Sequence, residues 1–210
     1  MKLSAIISTK KIDTTPERIA RQNKCIEGWH DYAHRIILLN RAHDVADMKY
    51  VETVEPVEAN PTLEKLINTA AAGRGMFDHD SIAIMPSDVE LVGNFDKLEA
   101  YIKLRQVVRA WAATSHRFEA GLEIEWAFDM FIATKKVWRE LRDIPTYYKM
   151  GQPMWDIWIN GKFSLHVGGH RYLNLSPMKV VNHEAHEGGR DMSGVSAGRV
   201  QDWAAPDVTP

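Results

Sequence analysis

The 210 residues are expected to form an α/β fold: a mostly parallel sheet flanked by helices in a single domain, with an irregular, aromatic-rich C-terminal part. Three observations predict it. Short β-rich apolar runs alternate with amphipathic stretches through the first ninety residues, the pattern of strand–helix–strand units. Hydrophobic residues make up 45% of the chain and charged residues 26%, a balance that supplies a core and a solvated surface. The run Ile82-Ala83-Ile84-Met85-Pro86-Ser87-Asp88-Val89-Glu90-Leu91 ends a buried strand abruptly in two acids spaced i, i+2.

The elements follow in chain order. Leu3 to Ser8 reads as a first buried strand, and Ser8-Thr9-Lys10-Lys11 as the loop at its carboxyl end. Thr14-Thr15-Pro16-Glu17 starts a helix, since Pro suits the first turn and Thr14 with Glu17 has capping-box spacing. That helix runs to about Trp29, with Ile19, Ile26 and Trp29 on one side. Arg35 to Asn40 is a second buried strand and Tyr50 to Val54 a third with weaker patterning. Thr62 to Ala72 is a helix carrying Leu63, Leu66, Ile67 and Ala70 and closing at Gly73. Ser81 to Ser87 is the fourth strand.

The second half is less regular. Phe95 to Leu104 has helical spacing at Phe95, Leu98 and Ile102. Val107 to Ser115 and Phe128 to Ala133 read as strands, the latter followed by a helix through Trp138 and Leu141. Tyr147 to Ile159 reads as aromatic and irregular. Beyond about Lys179 the chain turns polar and Gly-rich, so one domain is expected over 1–187, with a tail over 188–210.

Bulk properties exclude several classes. A net charge of −2 leaves no whole-chain electrostatic footprint for nucleic acid, though a local basic groove stays open. The lone Cys25 excludes an intramolecular disulfide and suits a reducing compartment. The apolar part of Met1 to Ser8 is too short for a signal peptide, and no window approaches the ~20 apolar residues of a membrane span. A soluble, cytoplasmic protein without a membrane partner is expected. Neither G-x-G-x-x-G nor G-x-x-x-x-G-K-[ST] occurs, which argues against a dehydrogenase or kinase loop. His183-Glu184-Ala185-His186-Glu187 is no zinc-protease box, because its two histidines lie at i and i+3 rather than i and i+4.

The acids near residue 90 carry the chemistry. In an open α/β sheet the carboxyl end of a central strand is where ligands bind. Two carboxylates there present oxygens to a hard divalent cation, which in turn can hold a diphosphate. Lys10, Lys11, Arg18 and Arg21 lie near the mouth of the first strand, and Arg18 is the candidate there for a phosphate or base contact. Arg74, between Gly73 and Gly75, has surroundings that let a guanidinium and backbone approach an anion closely.

Three pieces together resemble the GT-A type of nucleotide-sugar glycosyltransferase, over roughly residues 3–187. They are the opening strand with Ser8-Thr9-Lys10 and a helix bearing Arg18 and Arg21; Ser87-Asp88-Val89-Glu90, similar to that family's Asp-x-Asp metal motif; and Phe128-Asp129-Met130-Phe131 followed by Gly151 to Trp158. The motif departs from the family pattern at Ser87, which replaces the first acid, and at Glu90. The resemblance implies a Rossmann-like GT-A domain, donor contacts from Ser8, Lys10, Arg18, Arg74 and Ser87, and a Mn²⁺ or Mg²⁺ ion on Asp88 with Glu90 in support. It also implies that a late histidine, His183 or His186, completes the metal shell, with His166 and His170 as weaker alternatives.

Such a transfer needs a clamp on the leaving diphosphate and a base for the acceptor hydroxyl. Carboxylate ligands favour Mn²⁺ or Mg²⁺ over zinc. Asp156 is the first candidate base, because Trp155 and Trp158 beside it desolvate a carboxylate and raise its pKa; Asp129 is the rival. The expected activity is a metal-dependent transfer of a sugar from a nucleotide-diphosphate donor to a hydroxyl acceptor: a glycan, a small molecule or a modified base in DNA. A DNA acceptor calls for a basic stripe from Lys103, Arg105, Arg109, Arg117, Lys135, Lys136, Arg139 and Arg142. A non-catalytic nucleotide-sugar binding protein is the third alternative, favoured by Ser87 in place of an acid. The oligomeric state is left open.

Overall fold

A computed structural model describes residues 2–12, 14–54, 61–93, 95–104, 110–119, 122–149, 154–167 and 171–183. The expected 188–210 tail, together with His170 and His186, lies outside the described residues.

Four strands form the parallel half of the sheet: β1 (Ala5–Ser8), β2 (Ile36–Leu38), β3 (Val51–Thr53) and β4 (Ser81–Ile84). β1 pairs in parallel with β2 on one side and β4 on the other, and β2 pairs in parallel with β3. The rest of the sheet comes from β5 (Val89–Leu91), β6 (Ala112–Glu119), β7 (Leu122–Thr134), β8 (Tyr172–Asn174) and β9 (Val181–His183). The order across the sheet is β3-β2-β1-β4-β7-β6-β9-β5, with β8 pairing β6 off this path. β7 runs antiparallel to both β4 and β6, so the sheet is mixed beyond β4.

Helices cover both faces, and alternate strand residues choose between them. Ile6, Ile36 and Leu38 point into a cluster with Cys25, Ile26 and Trp29 from the first helical region and Leu98 from the third. Ala5, Ile7, Ile37 and Leu39 point to the other face, against Leu63, Leu66, Ile67 and Ala70 and the aromatic Trp138, Trp155 and Phe163. All the β1 and β2 residues are buried, which is why these strands read as continuous apolar runs rather than alternating ones.

α1 (Pro16–Gly28) begins on Thr15, whose side chain accepts from the Arg18 backbone N–H. The cap is therefore Thr15 rather than the expected Thr14, because Pro16 takes the first helical position and the N-cap is the residue before it. Gln22, Cys25 and Ile26 form its buried stripe. Trp29, just beyond, donates its indole N–H to the Val89 carbonyl at 2.9 Å and so ties α1 to β5. α2 (Leu63–Ala72) is capped by Thr62 and ends at Gly73 in the left-handed region, φ +39°. A side chain there would be strained, and its Cβ would lie 2.9 Å from Lys135 Cδ.

The remaining helices are α3 (Phe95–Leu104), α4 (Lys135–Glu140) and α5 (Trp155–Val167). α5 corrects the expectation of an irregular segment through Ile159. Its buried residues Trp155, Ile159 and Phe163 stand at i, i+4, i+8, but Ile157 and Trp158 between them and Leu165 beyond hide that period. β5 and β9 were also not foreseen, since three-residue strands carry too little pattern.

Candidate functional site

The order β3-β2-β1-β4 fixes where a ligand can enter. α1 follows β1 and leads outward to β2, whereas α2 returns over the other face to β4. The connections leaving β1 and returning to β4 thus diverge, and a crevice opens at the carboxyl ends of these two strands. Asp88 lies there, in the turn that follows β4.

The loop after β1 is built from side-chain bridges. Ser8 Oγ donates to the Met85 carbonyl at 2.6 Å, joining the ends of β1 and β4. The Asn40 amide holds both backbone groups of Lys10, accepting from its N–H at 2.7 Å and donating to its carbonyl at 2.8 Å. Lys10 itself is 4% exposed, with Nζ 3.9 Å from Asp47. Gln22 does the equivalent for Lys11: its Oε1 accepts from the Lys11 N–H at 2.7 Å and its Nε2 donates to the Lys11 carbonyl at 3.0 Å. The same Oε1 accepts from Ser87 Oγ at 2.6 Å. One buried glutamine therefore ties the loop after β1, helix α1 and the turn carrying Asp88 into a single unit. Ser8 and Ser87, both candidates for donor contacts, commit their hydroxyls to this framework.

An open cleft lies above it, lined by Lys11, Thr14, Arg18, Arg21, Gln22 and Asp88. It brings three cationic side chains of the loop and α1 to one carboxylate. Asp88 and Glu90 also flank the inward face of α1. Burial pushes the Cys25 thiol up to about 12, and these two carboxylates add to the effect. Glu90 accepts from Asn182 Nδ2 at 3.3 Å across the antiparallel β5–β9 pair.

On the other side of Asp88 stands His183 of β9. Its Nε2 is 3.7 Å from Asp88 Oδ2, and its Nδ1 is 2.9 Å from Asp129 Oδ2. Burial pushes the imidazolium pKa down, while the hydrogen bond to Asp129 and the charges of Asp129 and Asp88 push it up; the balance lies above the ordinary histidine value. Asp129, on β7, is fully buried and is also held by Arg117, with Nε at 3.1 and 3.2 Å and Nη2 at 3.0 Å. From the sequence, Arg117 is expected only as part of a basic stripe. Nothing in its local sequence marks it, because a register shift between β6 and β7 brings it to Asp129.

Asp156 sits in the first turn of α5. Its Oδ2 accepts from the Phe128 N–H at 3.1 Å. Burial raises its pKa, partly offset by backbone hydrogen bonds and by the charge of Arg117, which links it electrostatically to Asp129 and His183.

Arg74 does not join these residues. It follows the end of α2 just before β4 begins, and so lies at the amino end of the sheet, where its carbonyl accepts from Arg35 Nη1 at 2.7 Å. Helix-terminating glycines made it look like an anion loop, but the helix had already crossed to the far end of the strands. Arg117, Lys135, Lys136, Arg139 and Arg142 of the basic stripe also have partners within the chain. Lys135 donates to the Gly73 and Met76 carbonyls, Arg139 to Asp78, and Arg142 to the Arg139 and Leu141 carbonyls. Arg105 and Arg109 lie outside the described residues.

The arrangement suits a cation that a ligand helps to complete. Asp88 supplies a carboxylate and His183 an imidazole nitrogen whose ring is held from behind by a carboxylate. Among the described residues no group of three His, Cys, Asp or Glu side chains converges as a cation site. Mg²⁺ is commonly held by one or two carboxylates, with phosphate oxygens and water in the remaining positions; here Asp88 would be that carboxylate and His183 Nε2 an additional donor.

No protein-family model and no curated protein sequence matches this chain. Solved structures similar to it in fold include LgtC, a galactosyltransferase in complex with donor and acceptor sugar analogues. It shares 14% identity over 98% of this chain and 97% of its own, with a TM-score of 0.48. A candidate glucose-1-phosphate thymidylyltransferase of Bacillus anthracis shares 11% identity over 99% of this chain and 97% of its own, TM-score 0.46. The glycosyltransferase GlyE of Streptococcus pneumoniae shares 10% identity over 89% of this chain and 55% of its own, TM-score 0.41. At these identities and scores the likeness concerns the course of the backbone, and the chemistry of the site rests on this chain's own residues.

Proposed function

We propose that this protein is a glycosyltransferase that takes a sugar from a nucleotide-diphosphate donor, with a divalent cation, Mn²⁺ or Mg²⁺, held by Asp88 and His183. The observation that carries the reading is the cleft at the β1–β4 switch point, where Asp88 faces Lys11, Arg18 and Arg21. The cleft is shallow and open, and its cationic lining suits the charged diphosphate portion of a donor. The cation, when bound, neutralises charge that builds on the leaving diphosphate.

The chain's own residues divide the remaining work. Arg18, Arg21 and Lys11 attract the diphosphate and hold it against the loop that Gln22 and Asn40 make rigid. Asp156 is the base for the acceptor hydroxyl. Its raised pKa brings a carboxylate closer to the working range of a general base. Its Phe128 contact fixes one oxygen and orients the other. The acceptor is a hydroxyl of a glycan or small molecule in a soluble, cytoplasmic setting; among the described residues no helix is long and apolar enough to cross a membrane.

The test is a thermal-shift screen of nucleoside diphosphates and nucleotide sugars, with and without Mn²⁺, on the wild type and Asp88→Asn. A donor that stabilises the wild type only with Mn²⁺, an effect lost in Asp88→Asn, supports the reading. Equal Mn²⁺-dependent stabilisation of both proteins removes Asp88 from the site.

A further inference from the structure

We infer that Arg117 and Asp129 are positioning residues for His183: together they fix the orientation and tautomer of its ring so that Nε2 is turned to Asp88. This assignment concerns the ring itself. Only its consequence for cation affinity rests on the function proposed above.

The argument begins with Asp129, which is 0% exposed on β7. A carboxylate in that position must be paired and hydrogen-bonded to remain there. Arg117 approaches it as a fork, with Nε and Nη2 both contacting Oδ1 and Nε also reaching Oδ2, which sets the plane and direction of the carboxylate. The register shifts between Ser115 and His116 and between His116 and Arg117 make this approach possible. Arg117 is in backbone register with Ile124, yet its side chain reaches the carboxylate five residues further along β7.

A plain structural ion pair would be complete at that point. Here Asp129 Oδ2 has an additional partner, His183 Nδ1 at 2.9 Å. A carboxylate accepts and does not donate, so Nδ1 carries the proton and Nε2 of the neutral ring keeps its lone pair. The ring has little freedom to turn, because it is buried, with His183 4% exposed, on a strand whose backbone is paired to Val89 and Glu119. Nε2 then lies 3.7 Å from Asp88, whose carboxylate lines the open cleft. A line of contacts thus runs from the sheet interior to the cleft: Arg117, Asp129, His183, Asp88. Fixing the other nitrogen of a metal-binding imidazole in this way typically changes cation affinity by about 10–100-fold.

The experiment is long-range ¹H–¹⁵N correlation of the histidine side chains at alkaline pH, with the His183 signals identified by their loss in His183→Gln. Mn²⁺ titration in the presence of a nucleoside diphosphate accompanies it. The wild type is expected to show a single Nδ1–H tautomer at His183. The paired variant Arg117→Met with Asp129→Leu, which removes both buried charges and the acceptor for Nδ1–H, is expected to lose that tautomer and to weaken Mn²⁺ by about 10–100-fold. Arg117→Lys, which keeps the charge, is expected to retain the tautomer and most of the affinity. If the paired variant does not fold, the wild-type and Arg117→Lys spectra decide the matter alone. An Nε2–H tautomer in the wild type overturns the inference, as does an unchanged tautomer in the paired variant. A wild type with the expected tautomer but no Mn²⁺ binding leaves the positioning role standing and removes the cation from the proposed function.

Discussion

Replacing Gln22 with Met keeps side-chain length and helix propensity and removes only the polar contacts. Those contacts are an acceptor to the Lys11 N–H at 2.7 Å and to Ser87 Oγ at 2.6 Å, and a donor to the Lys11 carbonyl at 3.0 Å. The buried Ser87 hydroxyl is left without that partner, at a cost of about 1–3 kcal/mol. The two Lys11 groups border the open cleft, where water can replace part of what is lost, so about 0.5–1 kcal/mol each is the expected share. The sum is about 2–5 kcal/mol, or a fall in Tm of about 4–20 °C for a chain of this size. Chemical denaturation read by tryptophan fluorescence measures it, with an unchanged m value showing that the same surface is exposed. Because Gln22 also fixes the loop that carries Lys11, nucleotide affinity is expected to fall with stability. A loss below about 0.5 kcal/mol, the level of an ordinary surface change, refutes the view that Gln22 binds the loop, helix and turn into one unit.

Other perturbations bear on different parts of the account. Asp156→Asn keeps an oxygen for the Phe128 N–H but cannot take a proton, so turnover in a donor-transfer assay is expected to fall about 10²–10⁴-fold without unfolding. The same variant carries a stability signature. A carboxyl whose folded pKa is raised by burial destabilises the fold when ionised, so Asp156→Asn melts higher than wild type at neutral pH, and the gap closes as pH falls through the folded pKa. His183 has the opposite linkage in pH. Its pKa is raised, so its protonated form contributes stability that is full below the ordinary ~6.5 and is lost as pH rises through the folded value. The melting difference between wild type and His183→Gln is therefore expected to shrink with rising pH, while Mn²⁺ affinity grows as the competing proton leaves. Gly73→Ala forces a side chain to φ +39° and against Lys135, whose Nζ is anchored on the Gly73 and Met76 carbonyls. A loss of about 1–2 kcal/mol is expected by thermal melting, with donor affinity unaltered because the residue lies at the other end of the sheet.

The parallel half of the fold was legible because each strand there is buried on both faces and each helix has a marked start. Ile6, Ile36 and Ile82 lie in unbroken apolar runs, and Thr62 with Gly73 brackets α2 at both ends. The mixed half was harder, since β5 and β9 are three residues long and α5 is apolar around much of its circumference. The site divides in a similar way. Asp88, in the turn after β4, and Arg18, in the first turn of the helix after β1, could be placed because a strand's carboxyl end is a fixed address in such a sheet. Gln22 could not, as a glutamine on a helix has no pattern that separates a solvated side chain from a buried one. Arg117 and Asp129 are twelve residues apart and meet only through a register shift that no local spacing encodes. Arg74 falls at the other end of the sheet, since a Gly-Arg-Gly turn marks a helix end and an anion loop alike.

The central claim is that the acid after β4 and the cations of the loop and α1 serve one donor diphosphate. The most direct measurement is release of nucleoside diphosphate from nucleotide sugars by the wild type, with Mn²⁺ and with EDTA, beside Asp88→Asn. The account predicts Mn²⁺-dependent release from at least one donor, abolished by EDTA and by the substitution. Tight nucleotide binding with no release from any donor, or release that survives both EDTA and the loss of Asp88, contradicts it.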